Sequence, residues 1–184
     1  FVKVGTGIGS GLILGGRIHR GATGAAGDIG HIQVATDETL CRCGNLGCLE
    51  AAAGGAALAR QLNELGFDAT QGRHVVDLVR SGEPEAIHAV RHAGRHIGEA
   101  LASIVNLLNP TLIVVGGDVA AAGEQLMAGI REVIYQRSTA LATHVLEIRP
   151  SKLGDHAGVV GAAMLALDRI LDPAAVDAAL ERSR

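Results

Sequence analysis

Apolar and polar positions alternate along this chain in a way that predicts short strands separated by helices. Phe1 to Val4 starts extended. Leu12-Ile13-Leu14 and Arg17-Ile18-His19 are apolar runs broken by Gly15-Gly16, the pattern of two antiparallel strands joined by a tight hairpin. A short alternating run from His31 to Val34 predicts another strand, and Leu49 to about Leu65 reads as an Ala-rich helix ended by Gly66. His74 to Arg80 reads as a short helix. Glu85 to Asn109 is the longest: Ile87, Val90, Gly94, Ile97, Leu101, Ile104 and Leu108 recur at spacings of three and four, one continuous apolar face. Gly94 and Gly98 on it let another element approach closely, and Pro110 ends it. Thr111 to Val115 is an unbroken apolar run, hence a buried strand, followed by Gly116-Gly117-Asp118 and a helix to about Tyr135. Val145 to Ile148 predicts a strand, Ser151 to Asp155 a loop, Ala157 to Leu171 a small-residue helix, and Pro173 to Leu180 a last short helix. No repeat or linker interrupts the pattern. The expectation is one α/β lobe spanning residues 1–184.

Composition narrows this picture. Of 184 residues, 48% are apolar but only 2% aromatic, so the core is built from Ala, Val, Leu and Ile, and 26 glycines favour close backbone packing. The formal net charge is −3 and no basic run appears, so these residues carry no electrostatic footprint for nucleic acid. No signal peptide and no apolar run long enough to span a membrane is present, and reduced cysteines at metal-ligand spacing fit a cytoplasmic setting. The first residue is Phe1, inside a strand pattern, so the chain is expected to lack an N-terminal part.

The chemistry concentrates between Gly27 and Glu50. All three cysteines, Cys41, Cys43 and Cys48, lie there in Cys-x-Cys-Gly-x-x-Gly-Cys, with His31 upstream. Three thiolates and one imidazole make the closed Cys₃His shell of structural Zn²⁺, and Gly44 and Gly47 supply sharp turns that let the sulfurs converge. The alternative is three free thiols and an unrelated histidine; an odd count and the short Cys41–Cys43 spacing disfavour a disulfide. A metal here would also fix two flanking carboxylates, Asp28 and Glu50. With His31 they could hydrogen-bond several hydroxyls of one polar ligand. Alternatively Asp28 is a turn residue and Glu50 a first-turn helix acid favoured by the dipole.

Two glycine clusters are candidate anion sites. Gly5-Thr6-Gly7-Ile8-Gly9 could cradle phosphates through backbone N–H groups, or could be a plain turn. Gly116-Gly117 follows a strand and precedes a helix, where α/β sheets bind nucleotides; a plain strand–helix turn is the alternative, with Asp118 as helix cap. His88, His92 and His96 recur every fourth residue. They lie off the apolar face and no carboxylate completes a metal set, so a solvated face is expected.

Gly-Asp-Ile-Gly-His followed by Cys-x-Cys-Gly-x-x-Gly-Cys-Leu-Glu resembles the signature of the ROK family of repressors, open reading frames and sugar kinases. The resemblance implies an actin-like ATPase (ribonuclease H-like) fold, here one lobe of a two-lobed protein with a zinc knuckle. It implies zinc on His31, Cys41, Cys43 and Cys48, and a sugar, a hexose or amino sugar, on Asp28, His31 and Glu50. It likens Gly5, Thr6, Gly7 and Gly9 to the second phosphate-binding hairpin of the kinases, and Gly116 and Gly117 to residues against the adenosine of ATP. The catalytic aspartate of such kinases belongs to an Asn-Asp pair upstream of the Gly-Thr-Gly hairpin, so no catalytic base is named here. Position 28 is Asp where the kinases usually carry Glu, which withdraws the carboxylate by about one methylene. That departure favours the regulator over the kinase. So do the C-terminal runs around 135–138, 141–143, 153–163 and 172–177, which look more like ROK transcriptional regulators of high-GC Gram-positive bacteria than glucokinases. The expectation is a sugar-sensing effector domain of a homo-oligomeric regulator that meets DNA through a missing N-terminal domain. The alternative is an ATP- and Mg²⁺-dependent sugar kinase.

Overall fold

A computed structural model of the chain describes residues 1–34 and 38–182. It contains two compact units, Phe1–Lys152 and Leu153–Arg184.

The first unit opens with β1 (Val2–Val4), β2 (Ile8–Ser10), β3 (Leu12–Leu14) and β4 (Arg17–His19). A 3₁₀ turn at Ile29–His31 leads toward α1 (Leu49–Ala53), α2 (Gly55–Glu64), α3 (Gly72–Arg80) and α4 (Pro84–Leu108). Then come β5 (Leu112–Gly116), a 3₁₀ segment at Asp118–Ala122, α5 (Glu124–Arg137), α6 (Ala140–Thr143) and β6 (Glu147–Pro150). The sheet order is β2-β1-β5-β6. β1 and β2 are antiparallel with Val4 opposite Ile8, while β1–β5 and β5–β6 are parallel, with Lys3 opposite Gly116 and Ile113 opposite Ile148. The parallel β1–β5 pair brings the Gly5–Gly7 turn, just after β1, and Gly116-Gly117, at the end of β5, to the same end of the sheet, at the carboxyl ends of both strands. β3 and β4 form a separate hairpin as expected, with Gly15 and Gly16 at φ 56° and 76°, the left-handed pair a two-residue loop requires.

α4 packs on α5 without large rings. Ile97, Leu101, Leu126, Met127, Ile130 and Ile134 are fully buried. A Cβ on Gly94 would stand 2.5 Å from Leu126 O, so only glycine permits this approach. Arg91 and Arg95 both pair with Glu132, at 3.2 and 3.0 Å, and Arg137 with Glu99 at 2.7 Å.

Several boundaries differ from the sequence pattern, each for a local reason. The helix expected over Leu49–Leu65 breaks at Gly54, which is extended at φ −71°, ψ 160°. The break lets Gly55 N–H and Ala56 N–H donate to Gly5 O and Thr6 O at 2.7 and 3.1 Å, so the β1–β2 turn caps α2. The helix expected from Asp118 is a 3₁₀ segment and α5, separated by Gly123 at φ 69°. Gly117, not Asp118, occupies the cap position. His31–Val34 is no strand: His31 ends the 3₁₀ turn, and only an isolated bridge joins Gln33 to Cys48. Alternation over four residues is too short a signal to separate the two.

The second unit holds a 3₁₀ turn at Gly154–His156, α7 (Ala157–Ile170) and α8 (Pro173–Arg182). The Asp172 carboxylate accepts from Ala174 N–H at 3.0 Å at the start of α8. Among the described residues no helix is long and apolar enough to cross a membrane.

Candidate metal and polyol site

The cysteines occupy a small backbone knot. Cys41 N–H donates to Asn45 O at 2.8 Å, Gly44 N–H to Cys41 O at 2.9 Å and Gly47 N–H to Thr39 O at 2.9 Å. Gly44 and Gly47 take φ 94° and 70°, values an L side chain rarely adopts. Cys48 leaves the knot at the cap position of α1. Its neighbour Leu49 donates its N–H to Ile32 O at 2.8 Å, which returns the chain to the segment bearing His31.

The knot and that segment bring the four predicted ligands together. Cys43 Sγ and Cys48 Sγ are 3.5 Å apart, Cys41 Sγ and His31 Nδ1 3.7 Å, and all four donor atoms lie within 4.8 Å of one another. A tetrahedral zinc with Zn–S bonds of about 2.3 Å requires sulfur–sulfur edges of about 3.8 Å. The donor set therefore fits zinc in both chemistry and spacing. The thiols are free, not paired. They are inequivalent: a backbone hydrogen bond from Asn45 brings the exposed Cys43 down to about 7, whereas burial, with the adjoining Cys43 and Cys41, pushes Cys48 up to about 12. Held by Cys48, a metal ion would require the thiolate, so binding would release the Cys48 proton.

Glu50 lies in the first turn of α1, one residue beyond the Cys48–Leu49 anchor. Its Oε1 is 3.7 Å from Cys41 Sγ, which donates to it. Its Oε2 fills the space where a Cβ on Gly7 would stand. The carboxylate thus touches both the knot and the β1–β2 turn, a contact that sequence spacing gave no means of finding. Asp28 precedes the 3₁₀ turn and is exposed; its side chain does not cap that turn.

The remaining candidates are placed as follows. Gly5 N–H donates to Gly7 O at 3.0 Å, and the Gly5 and Thr6 carbonyls face α2. A Cβ on Gly117, at φ 94°, would stand 2.5 Å from Val4 O, so packing on β1 by itself requires glycine there. On α4, His88 and His92 are exposed, but His96 is buried, against expectation, with Glu99 Oε2 3.8 Å from its Nδ1. A carboxylate therefore does stand beside these histidines. Partial burial, with His96 and His88, holds His92 below the usual imidazole range. Among the described residues, only His31, Cys41, Cys43 and Cys48 gather three or more donor atoms as a metal requires.

A mixed α/β sheet with a Cys₃His knot beside a carboxylate defines the class, and the sequence comparisons define the family. The chain belongs to the ROK family, whose sequence model matches residues 1–169. It is 30% identical to a xylose repressor of Caldicellulosiruptor bescii, over 93% of this chain and 46% of that protein. It is 34% identical to a glucokinase of Streptomyces coelicolor, over 90% of this chain and 58% of that one. The crystal structure of a ROK family glucokinase from Streptomyces griseus, in complex with glucose and AMPPNP, superposes with a TM-score of 0.77 at 34% identity, covering 89% of this chain and 58% of that one. The chain thus spans about half the length of the curated relatives it matches.

Proposed function

We propose that this chain is the sugar-sensing effector portion of a ROK transcriptional regulator, with zinc on His31, Cys41, Cys43 and Cys48 and a sugar on Asp28, His31 and Glu50. The carrying observation is that Glu50 Oε1 lies 3.7 Å from Cys41 Sγ, which places a carboxylate on the rim of the metal set. Zinc would supply a closed structural shell that fixes the loop. His31 turns Nδ1 to the thiols, which leaves Nε2 as the nitrogen for a sugar hydroxyl. Asp28 adds a second acceptor from the same segment. Similarity to a xylose repressor supports the regulator; in this reading it meets DNA through another domain and acts as a homo-oligomer in the cytoplasm.

The second reading is an ATP- and Mg²⁺-dependent sugar kinase. It is favoured by the position of Gly5–Gly7 and Gly116-Gly117 at the same end of the sheet and by similarity to glucokinases. Calorimetry with D-glucose, D-xylose and N-acetyl-D-glucosamine, run beside a coupled ATP assay, separates the readings. Glu50→Ala is expected to weaken sugar binding by roughly 1–3 kcal/mol, since sugar hydroxyls lose their acceptor. Sugar-dependent ATP consumption would replace the regulator with the kinase, and unaltered binding by Glu50→Ala would remove Glu50 from the site.

A further inference from the structure

The Gly5–Gly7 turn has a relation to the polyol site that its resemblance to a phosphate hairpin does not account for. Several glycines surround Glu50, and they differ in what a side chain would meet. At Gly30 a Cβ would overlap the carbonyl of Ile8, and at Gly54 it would stand 2.6 Å from Glu50 O and 2.9 Å from Thr6 O; these are backbone atoms that cannot yield without moving the fold. At Gly7 the overlap is with Glu50 Oε2, with Cδ at 3.3 Å. That is the far end of a flexible side chain. Gly7 is also outside the left-handed region, so an alanine there meets no backbone strain. Gly55 N–H and Ala56 N–H donate to Gly5 O and Thr6 O at 2.7 and 3.1 Å, which seats the turn holding Gly7 against the start of α2, directly after α1.

We infer that Gly7 is a positioning residue for Glu50: the missing side chain leaves the space in which the carboxylate lies, with Cys41 Sγ on its other oxygen. This rests on the sugar reading of Glu50. Filling that space displaces the carboxylate from its place between Gly7 and Cys41 Sγ while leaving the fold in place. The turn is then part of the polyol site whether or not a nucleotide ever reaches it.

The test is a double-mutant cycle read by calorimetry with D-glucose, D-xylose and N-acetyl-D-glucosamine, with zinc content and circular dichroism measured on each variant. Gly7→Ala is expected to weaken binding on the order of tenfold or more, the scale of losing one charged acceptor, with zinc content and helicity unchanged. In a Glu50→Ala background the same change should cost nothing further. Gly11→Ala, where a Cβ meets no atom within 4 Å, should bind as wild type. Equal losses in both backgrounds, wild-type binding by Gly7→Ala, or an unfolded Gly7→Ala would each overturn the inference. Wild-type binding by Gly7→Ala with loss in Glu50→Ala leaves the sugar reading standing. No loss in Glu50→Ala, or no sugar bound by wild type, overturns both.

Discussion

The α4–α5 pair and the cysteine knot lie in the same unit and are held by opposite means. α4 and α5 bury Ile97, Leu101, Leu126, Met127, Ile130 and Ile134 and let Gly94 touch the α5 backbone. Their stability comes from removing apolar surface from water at close packing. Among its described residues the knot has no such core: Leu40 and Leu46, which form its bridge, are 68% and 53% exposed. A few backbone bonds and three free thiols bring Cys41, Cys43 and Cys48 together, with one of them pushed to about 12 by burial. On the proposed zinc reading, a segment like this would draw its rigidity from the metal, and the helix pair would not. Function follows the same division. The helix pair supplies a rigid scaffold, and the cysteine segment carries the carboxylate and imidazole that, in the proposed function, would read a ligand.

Metal removal should expose this difference most strongly. Structural zinc contributes on the order of 10 kcal/mol of apparent binding free energy in small zinc-dependent folds. Chelation, or Cys43→Ser, is therefore expected to abolish hydrogen-exchange protection around Gly44 and Gly47 while α4 and α5 keep theirs. Equal loss in both regions would show that the knot is not a separately stabilised element. A smaller effect is expected from Gly94→Ala. Its Cβ would press on Leu126 O at 2.5 Å, and overpacking of this kind costs about 1–3 kcal/mol. Thermal denaturation should show the loss, with zinc content unchanged.

The smallest effect concerns pH. The Arg91 and Arg95 guanidinium groups hold the Glu132 carboxyl below its ordinary value. A lowered folded-state value contributes stability above the ordinary carboxylate range, lost as pH falls through the folded value. Because the pair is solvent-exposed, salt screens it and the contribution is small. Glu132→Gln should flatten the acid limb of the stability profile slightly at low salt and have no effect at high salt.

What was legible in the sequence tracks how local the causes are. α4 and α7 match their predicted ranges within one or two residues because a long apolar period and flanking prolines are local signals. The Cys₃His grouping was legible from spacing, since all three sulfurs lie within one short loop. The breaks at Gly54 and Gly123 were not, because glycine inside a helical pattern reads as tolerated until one knows what packs on it. At Gly54 that is the β1–β2 turn, remote in sequence. The contact of Glu50 with Gly7 was invisible for the same reason. His96 was misplaced because an imidazole at helical spacing looks solvated, and its burial depends on tertiary packing that the spacing does not reveal.

The central claim is that a metal-fixed knot holds His31 and Glu50 in position for a sugar. Titrating D-glucose, D-xylose and N-acetyl-D-glucosamine into zinc-loaded protein, into chelated protein and into chelated protein given zinc again tests it directly. Binding that disappears with the metal and returns with it is the predicted result. Sugar binding that is unchanged after complete zinc removal would contradict it.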